Sequence, residues 1–505
     1  MSVFGSLSKL NRRLHHAIGP LHRARHQRTL DHGKVDAATM RRARETWWGD
    51  DDRWFPGGTP PRRANRITLL IDGEDYFTAL HEALTHARHY IYISGWSLTP
   101  RIPLLRRNED DLIQTQLLDL LTEAAQRIPV RVLLWCGAPA VVQPTKRAMK
   151  DVRALIKEEA TGDIQCALDE SAHLGHCHHQ KVVIVDGQIA FVGGMDLTTL
   201  GGDRWDTQRH PLRHGPNWHD VQVQIEGEAV ADVERTFHQR WQATTGDGAL
   251  PHREPESDPS WRTPMQIVRT IAKDTYAFAP RGEFGIYHTY LRAIQQARRF
   301  IYLENQYLWS PDIVDVLIAA INRDHADPFR IVIVLPANAH DGKWDNDRNV
   351  EILREVDNGR GIVSVYSLYA SGPGIGVSPF TYRPIYIHAK VGIIDDEWLT
   401  VGSANLNNRG LIFNSQVNAV MCDAALARDM RINLWAEHLA LPREAVVQAD
   451  PIALINGAWA DRAAETERII GENARPLTCA VHPYAVGRRL DAWLREEAES
   501  LTFDR

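Results

Sequence analysis

"HQKVVIVDG" (residues 179–187) and "HAKVGIIDD" (residues 388–396) write one pattern twice in a single chain: a histidine, a lysine two residues on, four mostly apolar residues, an aspartate. Val182–Val185 is a β-branched run, and the Asp186-Gly187 pair after it is a strong hairpin-turn signal. Residues 189–192 then read as the return strand. His179 and Lys181 sit just before or at the start of the outgoing strand. Residues two apart on a strand face the same side, so an imidazole and an ammonium are presented together. Asp186 falls in the turn or on the opposite face. In the second copy His388, Lys390, Val391–Ile394 and Asp395 repeat the pattern, with residues 398–401 as the return strand. Gly193-Gly194-Met195-Asp196 follows the first hairpin and Gly402-Ser403-Ala404-Asn405 the second. Small residues in such loops let backbone amides approach an anion. Two His-Lys pairs with two such loops suggest a phosphate site, at which one histidine attacks and the other supplies a proton.

The pattern HxKxxxxD, a six-residue spacer, then Gly-Gly/Ser-x-Asp/Asn, present twice, resembles the phospholipase D superfamily. The resemblance covers roughly residues 66–441. It implies a pseudo-two-fold arrangement of two halves, with one site at their seam, and no metal or other cofactor in the reaction. It also implies the catalytic set His179, Lys181, Asp186, His388, Lys390 and Asp395. Turn geometry gives Asp186 and Asp395 a structural share of that set, orienting the hairpins. Lys181, Lys390 and the Asn405 amide are expected to meet the phosphate charge, with Ser403 and the Gly194 loop as further donors.

The duplication extends beyond the motifs. "YFTALHEALTHARHYIYISGW" (residues 76–96) aligns with "IYHTYLRAIQQARRFIYLENQY" (residues 286–307), each an amphipathic helix ending in Ala-Arg and then a strand beginning Ile-Tyr. A helix and a buried strand follow, at residues 130–135 and 331–335, and an earlier strand at 67–71 is matched with 266–269. Each half reads β-α-β-α-β-hairpin-α, so the expected fold is α/β: duplicated halves, each a mixed sheet flanked by helices. The expected division is a basic arm at 1–65, a first half at 66–245, and a linker at 246–264 rich in Pro, Gly, Asp and Ser. A second half at 265–441 and a helical tail at 442–505 complete it.

The net charge of −6 gives no global bias toward nucleic acid, so none is expected as partner. No apolar run reaches membrane-spanning length and no secretory segment is visible near Met1. Five scattered cysteines fit a reducing compartment, so the expected location is cytoplasmic. The first 30 residues differ: Lys9, Arg12, Arg13, Arg23, Arg25 and Arg28 precede any acid, while Val3, Phe4, Leu7, Leu10, Leu14 and Ile18 follow helical spacing. Such an arm suits either an anionic membrane surface or docking on the protein body. "HLGHCHHQK" gathers His173, His176, Cys177, His178 and His179, but the spacing matches no common zinc pattern and the second half lacks the cluster.

The histidine roles are read from the segments "NWHDVQVQIEG" and "NSQVNAV". Asp220 resembles the family's carboxylate that orients the motif histidine, here assigned to His179. Gln416 stands at the matching place in the second half, where family members usually carry an acid, and is assigned to His388. His179 is therefore read as nucleophile and His388 as acid/base. The function expected is head-group cleavage or exchange on glycerophospholipids through a phosphohistidine. The alternatives are a nuclease of the same superfamily or a cardiolipin synthase-type phosphatidyltransferase.

Overall fold

A computed structural model describes residues 59–139, 143–173, 175–213, 215–339, 342–374 and 378–487. The amphipathic stretch of the arm and the last residues of the tail lie outside this range. All the described residues fall in one compact unit.

The first half contributes β1 (Asn65–Ile71), β2 (Ile91–Gly95), β3 (Val130–Trp135), β4 (Ile164–Asp169), β5 (Val182–Val185), β6 (Ile189–Gly193), β7 (Asn217–His219) and β8 (Val221–Gly227). The second contributes β9 (Met265–Ile271), β10 (Glu283–Phe284), β11 (Phe300–Glu304), β12 (Arg330–Val334), β13 (Val363–Pro373), β14 (Phe380–Ile387), β15 (Val391–Ile394), β16 (Trp398–Gly402) and β17 (Gln416–Met421), followed by β18 (Ala480–Pro483). One sheet runs β1-β8-β6-β5-β2-β3-β4, and the other contains β9-β17-β16-β15-β11-β12-β13 in the corresponding order. The internal repeat is therefore a repeat of topology. In both sheets the hairpin strands are antiparallel to their neighbours and the next two strands are parallel.

Both hairpins have the register their sequences dictate, Val182 opposite Val192 and Val391 opposite Val401. The turn aspartates fix them. Asp186 (φ 58°) and Asp395 (φ 57°) adopt the left-handed conformation. The Asp186 carboxylate accepts the amides of Arg88, His89 and Tyr90 at 2.7–3.0 Å. Asp395 does the same for Arg298, Arg299 and Phe300 at 2.7–2.8 Å. Each aspartate thus caps the start of the neighbouring central strand and ties it to the hairpin that carries the His-Lys pair.

Two features depart from the expected pattern. In each half a charged helix and further strand stand before the hairpin: Lys146–Glu159 and β4 in the first, Lys343–Asp357 with β13 and β14 in the second. The tail is helical only to residue 472, after which β18 returns to pair with β13.

The halves are joined by crossed strands. β7 lies parallel to β14, with Ile387 opposite His219, and so belongs to the second sheet. One residue later the chain has entered the first sheet, where Val221 of β8 pairs with Ile71. Asp220 occupies that single-residue crossing. Ser415 makes the reciprocal parallel bridge to His178, and Gln416 follows it. A continuous apolar core spans the seam, from Tyr92, Ile184 and Val192 to Leu399, Val401 and Val417.

Arg240, from the helix Val230–Thr245, is buried in the first half. It reaches Asp169 Oδ2 (2.9 Å), Ser94 Oγ (2.8 Å) and Gln180 Oε1 (2.9 Å). Removing one member of a buried ion pair leaves the other charge uncompensated, typically at about 3–5 kcal/mol. Arg240→Met is expected to lower the unfolding free energy by about that amount, measured by urea denaturation. A loss within about 0.5 kcal/mol of zero would remove this network from the stabilising set.

Candidate active site

The residues after the two crossings decide the geometry. The His388 amide donates to the His219 carbonyl (2.8 Å) and the His179 amide to the Ser415 carbonyl (2.8 Å). Each motif histidine is therefore docked against the residue that precedes the other half's orienting side chain. Asp220 Oδ2 lies 2.6 Å from His388 Nδ1, and Gln416 Oε1 lies 3.1 Å from His179 Nδ1. This corrects the expected pairing: Asp220 serves His388 and Gln416 serves His179. The cause is that β7 pairs with β14, a contact across the halves that carries Asp220 to the wrong side for His179.

The tautomer of His179 follows from its partners. The Ser403 carbonyl, 3.1 Å from Nδ1, can only accept. Gln416 Oε1 also accepts from Ser403 Oγ (2.7 Å). Nδ1 therefore carries the hydrogen and Nε2 holds the free lone pair. Burial, with Lys181 and Lys390 nearby, holds the His179 pKa well below the ordinary imidazole value, so the ring is neutral. His388 is likewise held low by burial and then by Lys390, Arg204 and Lys181. Each imidazole feels both motif lysines, so the two His-Lys pairs share one site. Burial raises Asp220 to about 7.

The lysines are not equivalent. Lys181 Nζ sits 2.8 Å from Asp196 Oδ2, both side chains being 2% exposed. The position matching Asp196 in the second half is Asn405. Among the described residues, Lys390 has no carboxylate within ion-pair distance, and its ammonium donates to the His388 carbonyl. Burial lowers its pKa to about 7. Lys390 thus has no ion-pair partner of its own, and Asp220 and Asp196 act on it only at longer range. Asn405 is held by Gln306, whose Oε1 accepts from Nδ2 at 3.2 Å, which fixes the amide nitrogen as donor.

Two expected phosphate donors are otherwise engaged. The Gly194 amide donates to the Val221 carbonyl (3.1 Å). Its smallness serves Asp220 instead, because a Cβ there would stand 2.0 Å from Asp220 Oδ1. Ser403 spends its hydroxyl hydrogen on Gln416 and is fully buried. Glu304 is sealed inside, bonded to His219 and His438, and does not line the site. Of the histidine run, His178 pairs with Asp169 (2.9 Å) and His173 Nε2 meets the Lys273 carbonyl (2.9 Å), so these two rings have separate partners.

Three further side chains stand beside the two histidines. The Trp218 ring lies 4.9 Å from His388 edge-on, and the Trp96 ring 6.3 Å from His179. The Arg204 guanidinium stacks 4.2 Å over Trp218. Trp96 closes the strand-end segment "SGW", whose residues the sequence offers as pocket lining, and Trp218 stands two residues before Asp220 in "NWHD". Arg204 sits in irregular chain and carries no signal in the sequence.

Residues 83–217 match the family model described as Phospholipase D, and residues 290–436 match that described as Cardiolipin synthase, PLD-like domain. Phospholipase D A of Dictyostelium discoideum is 25% identical over 469 residues, which take in 76% of this chain and 36% of that protein. Phospholipase D alpha 4 of Arabidopsis thaliana is 25% identical over 484 residues, 71% of this chain and 62% of that protein. The chain thus spans between about a third and two thirds of the length of these curated relatives. The crystal structure of phosphatidylserine synthase from Haemophilus influenzae Rd KW20 superposes with a TM-score of 0.50 at 11% identity, covering 82% of this chain and 96% of that one, a likeness of fold. No helix among the described residues is long and apolar enough to cross a membrane.

Proposed function

Because this chain belongs to the phospholipase D superfamily, we propose that it cleaves or exchanges the head-group ester of glycerophospholipids through a phosphohistidine at His179. The observation that carries the reading is the crossed pair of orienting contacts, which leaves the two motif histidines with different chemistry. His179 is neutral, partly exposed and presents a lone pair on Nε2. His388 is held low by the same burial and lysines, but it alone is backed by a carboxylate, at 2.6 Å, which favours the imidazolium once the substrate's anion enters the site.

Nε2 of His179 attacks phosphorus, and the bond from phosphorus to the head-group oxygen breaks. The leaving oxygen takes the proton from His388. Water, or an acceptor alcohol, then gives its proton to His388 and attacks phosphorus. The P–N bond breaks, and its electron pair returns to His179. The product is phosphatidic acid with water, or a new phosphatidyl ester with an alcohol. Lys390, without an ion-pair partner of its own, takes the phosphodiester charge, and that anion in turn holds Lys390 protonated. Asn405 adds a neutral donor. Hydrolysis and transfer differ only in the acceptor. The match of the second half to a cardiolipin synthase-like domain favours including transfer in the proposal.

Purified protein given mixed phospholipid vesicles should yield phosphatidic acid, and phosphatidylethanol when ethanol is added, with products read by mass. Membrane contact through the basic arm belongs to the same proposal. Turnover on anionic vesicles should fall as salt rises, while turnover on a short-chain soluble phospholipid should not. Cleavage of DNA with no turnover of any phospholipid would move the protein to the nuclease alternative.

Gln416 tunes the nucleophile. Gln416→Glu places an anion beside His179 Nδ1 and raises the pKa of that imidazole. Protonation then removes the lone pair at a higher pH, so the acid limb of kcat/KM should shift upward in pH. An unmoved acid limb would mean that the limb reports another group.

A further inference from the structure

Beneath His388 lies a cluster that the proposed reaction does not use. Asp72, His210, His219 and Glu437 bring four candidate ligand atoms within 4.8 Å of one another. Asp72 is 1% exposed, His219 and His210 are 0% exposed, and the Glu437 side chain is 4% exposed. His210 Nε2 is 3.3 Å from Asp72 Oδ2 and 3.0 Å from Glu437 Oε1, while His219 Nδ1 is 3.1 Å from Asp72 Oδ1 and 3.5 Å from Glu437 Oε1. A tetrahedral cation with bonds near 2.0–2.1 Å sets its ligands roughly 3.3–3.5 Å apart, and the separations of 3.0–3.5 Å here come close to that, with His210 Nε2 and Glu437 Oε1 also at hydrogen-bond distance and Asp72 turning a different oxygen to each imidazole. Three buried atoms of the cluster, Asp72 Oδ2, His219 Nδ1 and Glu437 Oε2, have no hydrogen-bond partner.

The surroundings are those of a metal site. The remaining nitrogen of each imidazole faces a carboxylate. His219 Nε2 is 2.9 Å from Glu304 Oε2, and His210 Nδ1 is 3.2 Å from Asp206 Oδ2. Carboxylates in that position fix the ring and raise its basicity toward a metal. They are held in turn, Asp206 by Asn217, the Trp218 amide and Arg213, and Glu304 by His438 and Tyr302. Asp72 adopts φ 63°, a conformation a non-glycine residue takes at a cost, at the start of the helix Asp72–Thr85.

We propose that Asp72, His210, His219 and Glu437 hold one tetrahedral first-row divalent cation, zinc in the first instance, as a structural clamp between the two halves. Two imidazoles with two carboxylates suit zinc, manganese or iron(II) and neutralise a dication. Four protein ligands close the sphere, so the ion has no open position for substrate. Asp72, His210 and His219 come from the first half and Glu437 from the helix Ala424–Leu439 of the second. The clamp lies directly behind the acid/base pair. The Asp220 amide donates to Asp72 Oδ1 (3.1 Å), and the His219 carbonyl accepts the amides of His388 and Ala389 at 2.8 and 3.1 Å.

The test uses the full-length protein. As purified, it should carry about one equivalent of zinc, manganese or iron per chain by plasma mass spectrometry. Chelator in mild denaturant should strip the ion and lower the melting temperature, and added zinc should restore it. Refilling with cobalt(II) should give the intense visible bands of four-coordinate cobalt. Glu437→Gln keeps the size of the ligand and removes its charge, and should weaken metal binding at least ten-fold. Should that variant not fold, the wild-type strip-and-refill series decides alone. Folded wild-type protein that holds less than about a tenth of an equivalent, shows no cobalt bands in excess cobalt and melts unchanged with chelator would overturn the proposal. The charge of the carboxylates would then be met by protons on the imidazoles.

Discussion

His179→Ala and His388→Ala are each expected to lower turnover by orders of magnitude in a chain that stays folded. General acid–base assistance alone is worth about 10²–10⁴-fold, which sets the loss for His388→Ala. His179→Ala removes the attacking atom itself, so its loss should be at least as large. Neither ring is a keystone of the apolar core. His179 is partly exposed, and the backbone bonds that dock the two segments, from the amides of His179 and His388, survive truncation of the side chains. Far-ultraviolet circular dichroism should therefore stay close to wild type for both, as should the urea midpoint of His179→Ala, while His388→Ala leaves buried Asp220 without its partner and should unfold at a lower urea concentration. Wild-type-like turnover in either variant would end the shared-site mechanism.

The second large effect separates the two roles. A substrate whose leaving group needs no proton should restore the first step in His388→Ala by much of the lost 10²–10⁴-fold, because only the acid is missing. The second step in that variant still lacks a base, so a burst of leaving group should precede a stalled covalent enzyme. Labelled phosphate should then be found in the peptide containing His179. His179→Ala should show neither burst nor label with the same substrate. Rescue of His179→Ala, or label on the His388 peptide, would exchange the roles while leaving two-histidine chemistry in place.

What could be read from the sequence was local. The period-2 spacing of His179-Lys181 and His388-Lys390, the Asp-Gly turn and the β-branched runs are decided within a dozen residues, and the hairpin registers follow from them. The repeat of strand order also showed, because both copies kept their helix-to-strand punctuation. What failed was long-range. Asp220 stands much nearer to His179 along the chain than to His388, yet the His388 contact spans 168 residues and depends on a three-residue strand joining the other sheet. Gly194 was read as a cradle for an anion, whereas its missing side chain makes room for a carboxylate. The proposed metal site is long-range in the same way. A run of histidines lies in one segment, whereas the proposed ligands Asp72, His210, His219 and Glu437 come together only through folding and share no local pattern.

The crossing of the strands has a consequence for symmetry itself. Were the two halves separate identical chains, each would lend its partner the same orienting side chain. Both imidazoles would then be backed by aspartate, or both by glutamine, and no rule within the dimer could decide which one attacks. Joined in one polypeptide, the two copies of that position are independent letters. Here one is Asp220 and the other Gln416, just as Asp196 on one side faces Asn405 on the other. The covalent linkage between the halves thus does more than hold them together: it permits each side of the phosphorus to be edited alone. A direction of attack can then be written into a fold whose backbone has none.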